Sequence, residues 1–200
     1  DVILRGEAAR TASGSDGTGV SVGVISDGVD DRAASVATAD LPDDVVISGG
    51  DAGAGGEGTA MLQIVHDLAP GAHLIFAAPR TSVEMVSAID ALAAAGAHVI
   101  VDDLVFTDEP KFEDGPIALA ARRFTEGGGI YVTAGGNFAG SHYFAAYRRT
   151  TGRGIGGVAY GGVHAFDSGD FGNSIRIPPG AEVLVVLQWN DRFGSAANDL

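Results

Sequence analysis

Short apolar runs and stretches of helical period alternate along the first 140 residues. Leu4 to Arg10 predicts a short helix ahead of the polar turn from Ser13 to Gly19. Val20 to Ile25 (VSVGVI) is short and β-branched, and predicts a strand ending in Ser26-Asp27-Gly28. An acidic surface segment follows, and Val45 to Ser48 predicts a second strand. A Gly-rich loop from Gly50 then leads to Glu57. Beyond it Ala60, Met61, Ile64, Val65 and Leu68 recur at helical spacing until Pro70-Gly71. Ala72 to Ala77 predicts a third strand. Ser82 to Ala95 predicts a helix, apolar at Val83, Val86, Ile89, Leu92 and Ala93. His98 to Val101 predicts a fourth strand running into Asp102-Asp103, Gly115 to Glu126 a helix, and Gly129 to Thr133 a fifth strand ahead of Ala134-Gly135-Gly136-Asn137.

Strands alternating with helices require crossovers, hence a mostly parallel sheet, and near-continuous apolar strands require cover on both faces. The expected fold class is therefore α/β, a doubly wound and mostly parallel sheet over residues 1–150. From about Gly152 the helical period is lost. Gly-rich turns separate strand candidates at His164 to Phe166, Ser174 to Ile177 and Glu182 to Trp189, with Pro178-Pro179-Gly180 turning the chain before the last. Residues 151–200 read as an antiparallel β module, inserted or appended and incomplete. The last residues carry no stop signal after a strand-like run, so the chain reads as one that continues.

Composition narrows the function classes. Twelve Lys+Arg stand against 26 Asp+Glu, a net charge of −14, which argues against nucleic acid or an anionic membrane as partner. The balance suits an exported protein, or one from a salty milieu. Cysteine is absent, which excludes disulfides, Cys-ligated zinc and thiol catalysis. No apolar run approaches membrane-spanning length.

In an open parallel sheet, sites form at the carboxyl ends of the strands. Asp27 follows the first predicted strand, Asp102 and Asp103 end the fourth, Asn137 lies just past the fifth, and Glu57 starts the helix after the second. Each acid alone reads as a cap or turn former; four segments converging on one edge read as a site. Two other groups point elsewhere. His66-Asp67 and His73 read as satisfied histidines in or beside the core. Asn190-Asp191 and Asn198-Asp199 have the composition of a structural calcium loop, with a solvated turn the commoner explanation. Gly17-Thr18-Gly19 precedes its strand, whereas a dinucleotide fingerprint follows one, and no Walker motif is present.

Four of these stretches, VGVISDGVD (22–30), GEGTAMLQIVHDLAPGAHLIFA (56–77), VIVDDL (99–104) and YVTAGGN (131–137), resemble in order and spacing the subtilisin-like serine protease family. The resemblance covers roughly residues 15–140. The departures are specific. Glu57 stands at the family's His, Ser26 at its Asp with Asp27 one place later, and the nucleophile motif G-T-S-x-A-x-P does not occur in these 200 residues. A Glu in the His position resembles the sedolisins, relatives with a Ser-Glu-Asp triad. Their Asp one turn after the Glu is Met61 here, and Asn137 stands where they use an Asp.

The resemblance implies part of a secreted serine endopeptidase acting on polypeptide, with a propeptide as a further partner and no required cofactor. Glu57 would be the general base, Asp27 or Asp103 the carboxylate orienting it, and Asn137 the oxyanion donor, with the nucleophilic Ser supplied C-terminal to Leu200. Two carboxylates sharing a proton raise one pKa, so such a pair is expected to work best in acid. Loss of both family landmarks, at Ser26 and Glu57, supports a second reading, a pseudoprotease that binds polypeptide or a partner without cleaving it. A third is an unrelated α/β domain whose acids hold a metal.

Overall fold

The structure, a computed structural model, describes residues 3–138, 140–153, 157, 159–168 and 170–198. The chain forms two compact units, one built from residues 1–110 and 114–136, the other from 111–113 and 137–200.

The first unit is a five-stranded parallel sheet between two layers of helix. In chain order it comprises α1 (Gly6–Ser13), β1 (Ser21–Ile25), α2 (Arg32–Ala37), β2 (Val46–Ile47), α3 (Glu57–Leu68), β3 (His73–Ala77), α4 (Ser82–Ala94), β4 (Val99–Asp102), α5 (Pro116–Glu126) and β5 (Ile130–Thr133). The doubly wound α/β class read from the sequence is the fold observed. α2 lies in the segment read as an acidic surface stretch, because six residues are too short to show a clear period.

The strand order is β2-β3-β1-β4-β5. β1 is central, with Val22 opposite Leu74 of β3 on one side and Val99 of β4 on the other. Side chains alternate across it. Val22, Val24, Leu74 and Phe76 pack with Leu62 of α3, while Ile25, Ile75 and Ile100 pack with Met85, Ile89 and Leu92 of α4 and Phe124 of α5. At Gly23 a Cβ would lie 2.8 Å from Leu92 Cδ1, so the missing side chain brings α4 close to the central strand.

These positions fix the hand of each crossover. The steps β2→β3, β3→β4 and β4→β5 run the same way across the sheet, and β1→β2 runs the other way. α4 and α5 cover one face; α3 covers the opposite face, on which Val36 of α2 also packs. Three crossovers therefore share one hand, and β2-α3-β3 alone has the other. Since parallel crossovers are right-handed in the great majority of cases, the unit that delivers Glu57 is the left-handed one.

The second unit contains an antiparallel pair, β6 (Arg149–Arg153) and β7 (Ala159–His164), with a bulge between Thr150 and Thr151. Aromatic rings gather at one end: His164 and Phe166 lie 4.9 Å apart edge to face, and Tyr143 and Phe166 4.9 Å apart. The Tyr143 hydroxyl lies 3.0 Å from His164 Nε2, and His164 Nδ1 accepts the Arg148 N–H at 3.0 Å. The strands expected over 174–177 and 182–189 do not form, and that expected over 164–166 ends at His164. Among the described residues no segment is aligned to ladder with 182–189, so its β-branched run stays unpaired.

Candidate functional site

The Gly-rich loop before α3 folds over the end of β1. Gly28 and Gly53 form an isolated antiparallel bridge, and the Asp27 carbonyl accepts the Ala54 N–H at 3.0 Å. Gly55, at φ +126°, could hold no side chain, because its Cβ would stand 1.9 Å from Asp27 Oδ2. Asp30 fastens the same residue twice, its N–H donating to the Gly55 carbonyl and its Oδ2 accepting the Gly55 N–H, both at 2.9 Å.

This packing gives Asp27 a definite task. Its Oδ1 accepts the Gly28 N–H at 2.6 Å and the Gly58 N–H at 3.3 Å. Gly58 is the second residue of α3, whose own N-cap, Gly56, has no side chain to offer. Asp27 therefore caps α3 from another element, satisfying a free amide at the positive end of the helix dipole. Glu57 is exposed at the first position of the helix and has no side-chain partner among the described residues.

Two adjacent acids at the end of β4 face opposite sides of the sheet. Asp102 is 4% exposed and accepts from Thr133 Oγ at 3.0 Å. Its pKa is raised, first by burial and further by the neighbouring charge of Asp103, against hydrogen bonds that favour the ionised form. Tyr131, on β5, is also pushed up, by burial and then by the Asp102 charge. Asp103 turns the other way, and its Oδ2 accepts from the hydroxyl of Ser26 at 3.1 Å. Ser26 is wholly buried. Asp103 Oδ1 is buried as well and has no hydrogen-bond partner among the described residues.

Beside these groups lies a shallow cleft of about 360 Å³, lined by Asp27, Ala54, Pro79, Arg80 and Leu104 to Phe106. The lining comes from the carboxyl ends of β1, β3 and β4 and the loop before α3, the edge where an open sheet places its ligands. Arg80 is tied to Asp51 at 3.0 Å. The sequence reading missed the cleft, since nothing in Pro79-Arg80 or Leu104-Val105-Phe106 marks chemistry. Only their positions just past β3 and β4 single them out.

The structure thus joins Asp27 to the start of the Glu57 helix, and Asp103 to Ser26. Asn137 belongs to the second unit, is exposed, and makes no side-chain hydrogen bond among the described residues. The histidines differ from expectation: His73 is exposed, and His66 is half-buried with its Nδ1 lacking a partner among the described residues. Asp191 is engaged within its own turn. It accepts the N–H groups of Ala197 and Asn198 and the Asn198 side-chain amide, which, the Asn198 bonds first, hold its pKa below the usual range. Asp199 lies outside the described residues. Among the described residues no three His, Asp or Glu side chains gather where they could hold a metal ion.

No family model, curated protein or solved structure matches this chain.

Proposed function

We propose that this chain is the Glu-bearing part of a secreted, subtilase-like serine endopeptidase. Glu57 acts as general base, a neighbouring Asp orients it, and the nucleophilic serine follows Leu200 in the sequence. The observation that carries this reading is the placement of Glu57. It stands exposed at the first turn of α3, with no side-chain partner among the described residues, next to Gly58, whose N–H Asp27 accepts. A base must be reachable by the group it deprotonates, and Glu57 is the one acid of the cluster that is neither capping a helix nor bonded to a hydroxyl. In the reaction the serine hydroxyl transfers its proton to Glu57 as its oxygen attacks the peptide carbonyl, and the proton then passes to the departing amine. The cleft beside Asp27, walled by Pro79, Leu104, Val105 and Phe106, suits an extended polypeptide with an apolar side chain.

The test is expression of the longer reading frame and assay on an unfolded protein substrate from pH 3 to 8. Activity highest in acid, and reduced by about 10²-fold or more in Glu57→Gln, is expected. Full activity in Glu57→Gln, or a rate still climbing beyond pH 8, would overturn the reading. A pseudoprotease binding polypeptide at the same edge is favoured by one observation, the commitment of Asp27 to capping. It predicts peptide binding without cleavage in the longer protein.

A further inference from the structure

We infer that the run from Glu182 to Trp189 is a docking strand for a second copy of this chain, paired antiparallel about a two-fold axis at Val185. The inference concerns the second unit alone and does not depend on the proposed protease reading.

Five consecutive apolar side chains stand in water here, with Leu184 76% exposed, Leu187 69% and Val185 65%. Single exposed apolar residues are ordinary; a contiguous set marks a surface that is covered by something. The backbone is open as well. Among the described residues, 182–188 make no backbone-to-backbone hydrogen bond. The run is bounded by turns, with the Ala181 N–H donating to the Pro178 carbonyl at 3.1 Å before it and the Asp191 N–H donating to the Trp189 carbonyl at 2.8 Å after it. It contains no proline, and three of its five apolar residues are β-branched. An unpaired segment of this kind is a template for another strand.

The run is complementary to itself. An antiparallel pair centred on Val185 sets Val183 opposite Leu187, Leu184 opposite Val186, and Glu182 opposite Gln188. Every apolar residue then meets an apolar residue, and the only charge in the run meets an amide. Moving the axis to Val186 sets Leu184 against Gln188 and Val183 against Trp189, and parallel pairing in register sets Glu182 against Glu182. Long-range charge permits the approach. The second unit holds six Lys+Arg (Lys111, Arg148, Arg149, Arg153, Arg176 and Arg192) and six Asp+Glu, so it is neutral, and the first unit carries the whole net charge of −14. Because the same residues meet on both copies, the contact is isologous and closes at two chains.

The axis makes a sharp experiment possible, because position 185 faces its own copy and the chain has no cysteine. Opposed Cα atoms in an antiparallel pair lie about 4.5–5.5 Å apart, within disulfide range, whereas position 183 lies about 14 Å from its own copy. Under mild oxidation of the 200-residue chain, Val185→Cys should cross-link at least about 10-fold faster than Val183→Cys or Leu187→Cys alone, and those two should cross-link when mixed. Sedimentation should show a monomer–dimer equilibrium, and Trp189, the single tryptophan and the last residue of the run, should change its emission with the same concentration dependence. Val185→Lys, which opposes two charges across the axis, should weaken the dimer about 10-fold or more while leaving the far-ultraviolet circular dichroism of the first unit's helices unchanged. A monomer at every concentration, equal cross-linking of the three cysteine variants, or growth beyond two chains overturns the inference. So does protection of the 183–187 amides from hydrogen exchange that does not vary with concentration, since the ladder partner would then lie within one chain.

Discussion

The two units use similar residues in opposite ways. In the first, apolar side chains on alternate faces of β1, β3 and β4 disappear between two helical layers, and Phe76, Leu62 and Ile89 are wholly buried. In the second, the five consecutive apolar residues Val183 to Leu187 are all exposed, between 46% and 76%. Hydrophobicity alone therefore does not make a core. What differs is the presence of elements with complementary faces: the first unit supplies a helix for each side of its sheet, whereas the run at 182–189 has no ladder partner among the described residues.

The sharpest way to break this comparison is by truncation. Leu62→Ala should cost about 2–5 kcal/mol of unfolding free energy and Leu184→Ala no more than about 0.5 kcal/mol. Urea unfolding followed by far-ultraviolet circular dichroism reads both, and equal effects would mean that the exposed run is a core in solution. Next come the glycines. Gly58→Ala places a Cβ 2.6 Å from the Gly28 carbonyl oxygen and 2.5 Å from Phe76, so a loss of about 1–3 kcal/mol is expected. Gly161→Ala on β7 meets nothing within 4 Å and should be close to neutral. Smaller again is Thr81→Ala, which removes the hydroxyl accepting the Glu84 N–H at 3.1 Å at the start of α4 and should cost about 1 kcal/mol. Arg122→Ala, breaking an exposed pair with Asp114, should change stability by less than about 0.5 kcal/mol.

One expected effect is a slope. The folded-state pKa of Asp102 lies above its unfolded value, so the folded protein holds the proton more tightly. The contribution of this group is fully present below the unfolded pKa and is lost as pH rises through the folded one. Asp102→Asn should therefore compare better with the parent as pH rises from 3 to 7. A stability difference between the two that does not change with pH would contradict the burial argument.

The layered fold was legible because period and length agree in each element. Ile89 and Leu92 recur at helical spacing, and Val22 to Ile25 form a short β-branched strand covered on both sides. The two-residue strand β2 and the six-residue α2 carry too few positions for a period to show. In the tail, composition favoured strands, but strand formation needs a partner, and pairing is not a local property. At the site, the convergence of Asp27, Glu57 and Asp103 on one sheet edge follows from topology and could be read in advance. Their division of labour could not. That Asp27 caps α3 depends on the approach of Gly55, and that Asp103 rather than Asp102 meets Ser26 depends on the pleat at the end of β4.

The opposite-handed crossover that carries α3 bears on the order of assembly. Strand twist steers a nascent βαβ unit toward the right hand, so β2-α3-β3 gains little from forming early as an independent unit. Its helix docks to best effect once β1 and β3 have paired and offer Val24 and Phe76 as a ready surface. Substitutions along α3 should then speed unfolding more than they slow refolding, whereas those at the β1–β3 and β1–β4 seams should slow refolding. The segment bearing the candidate base would be among the last to settle, and among the first to loosen when the protein is stressed.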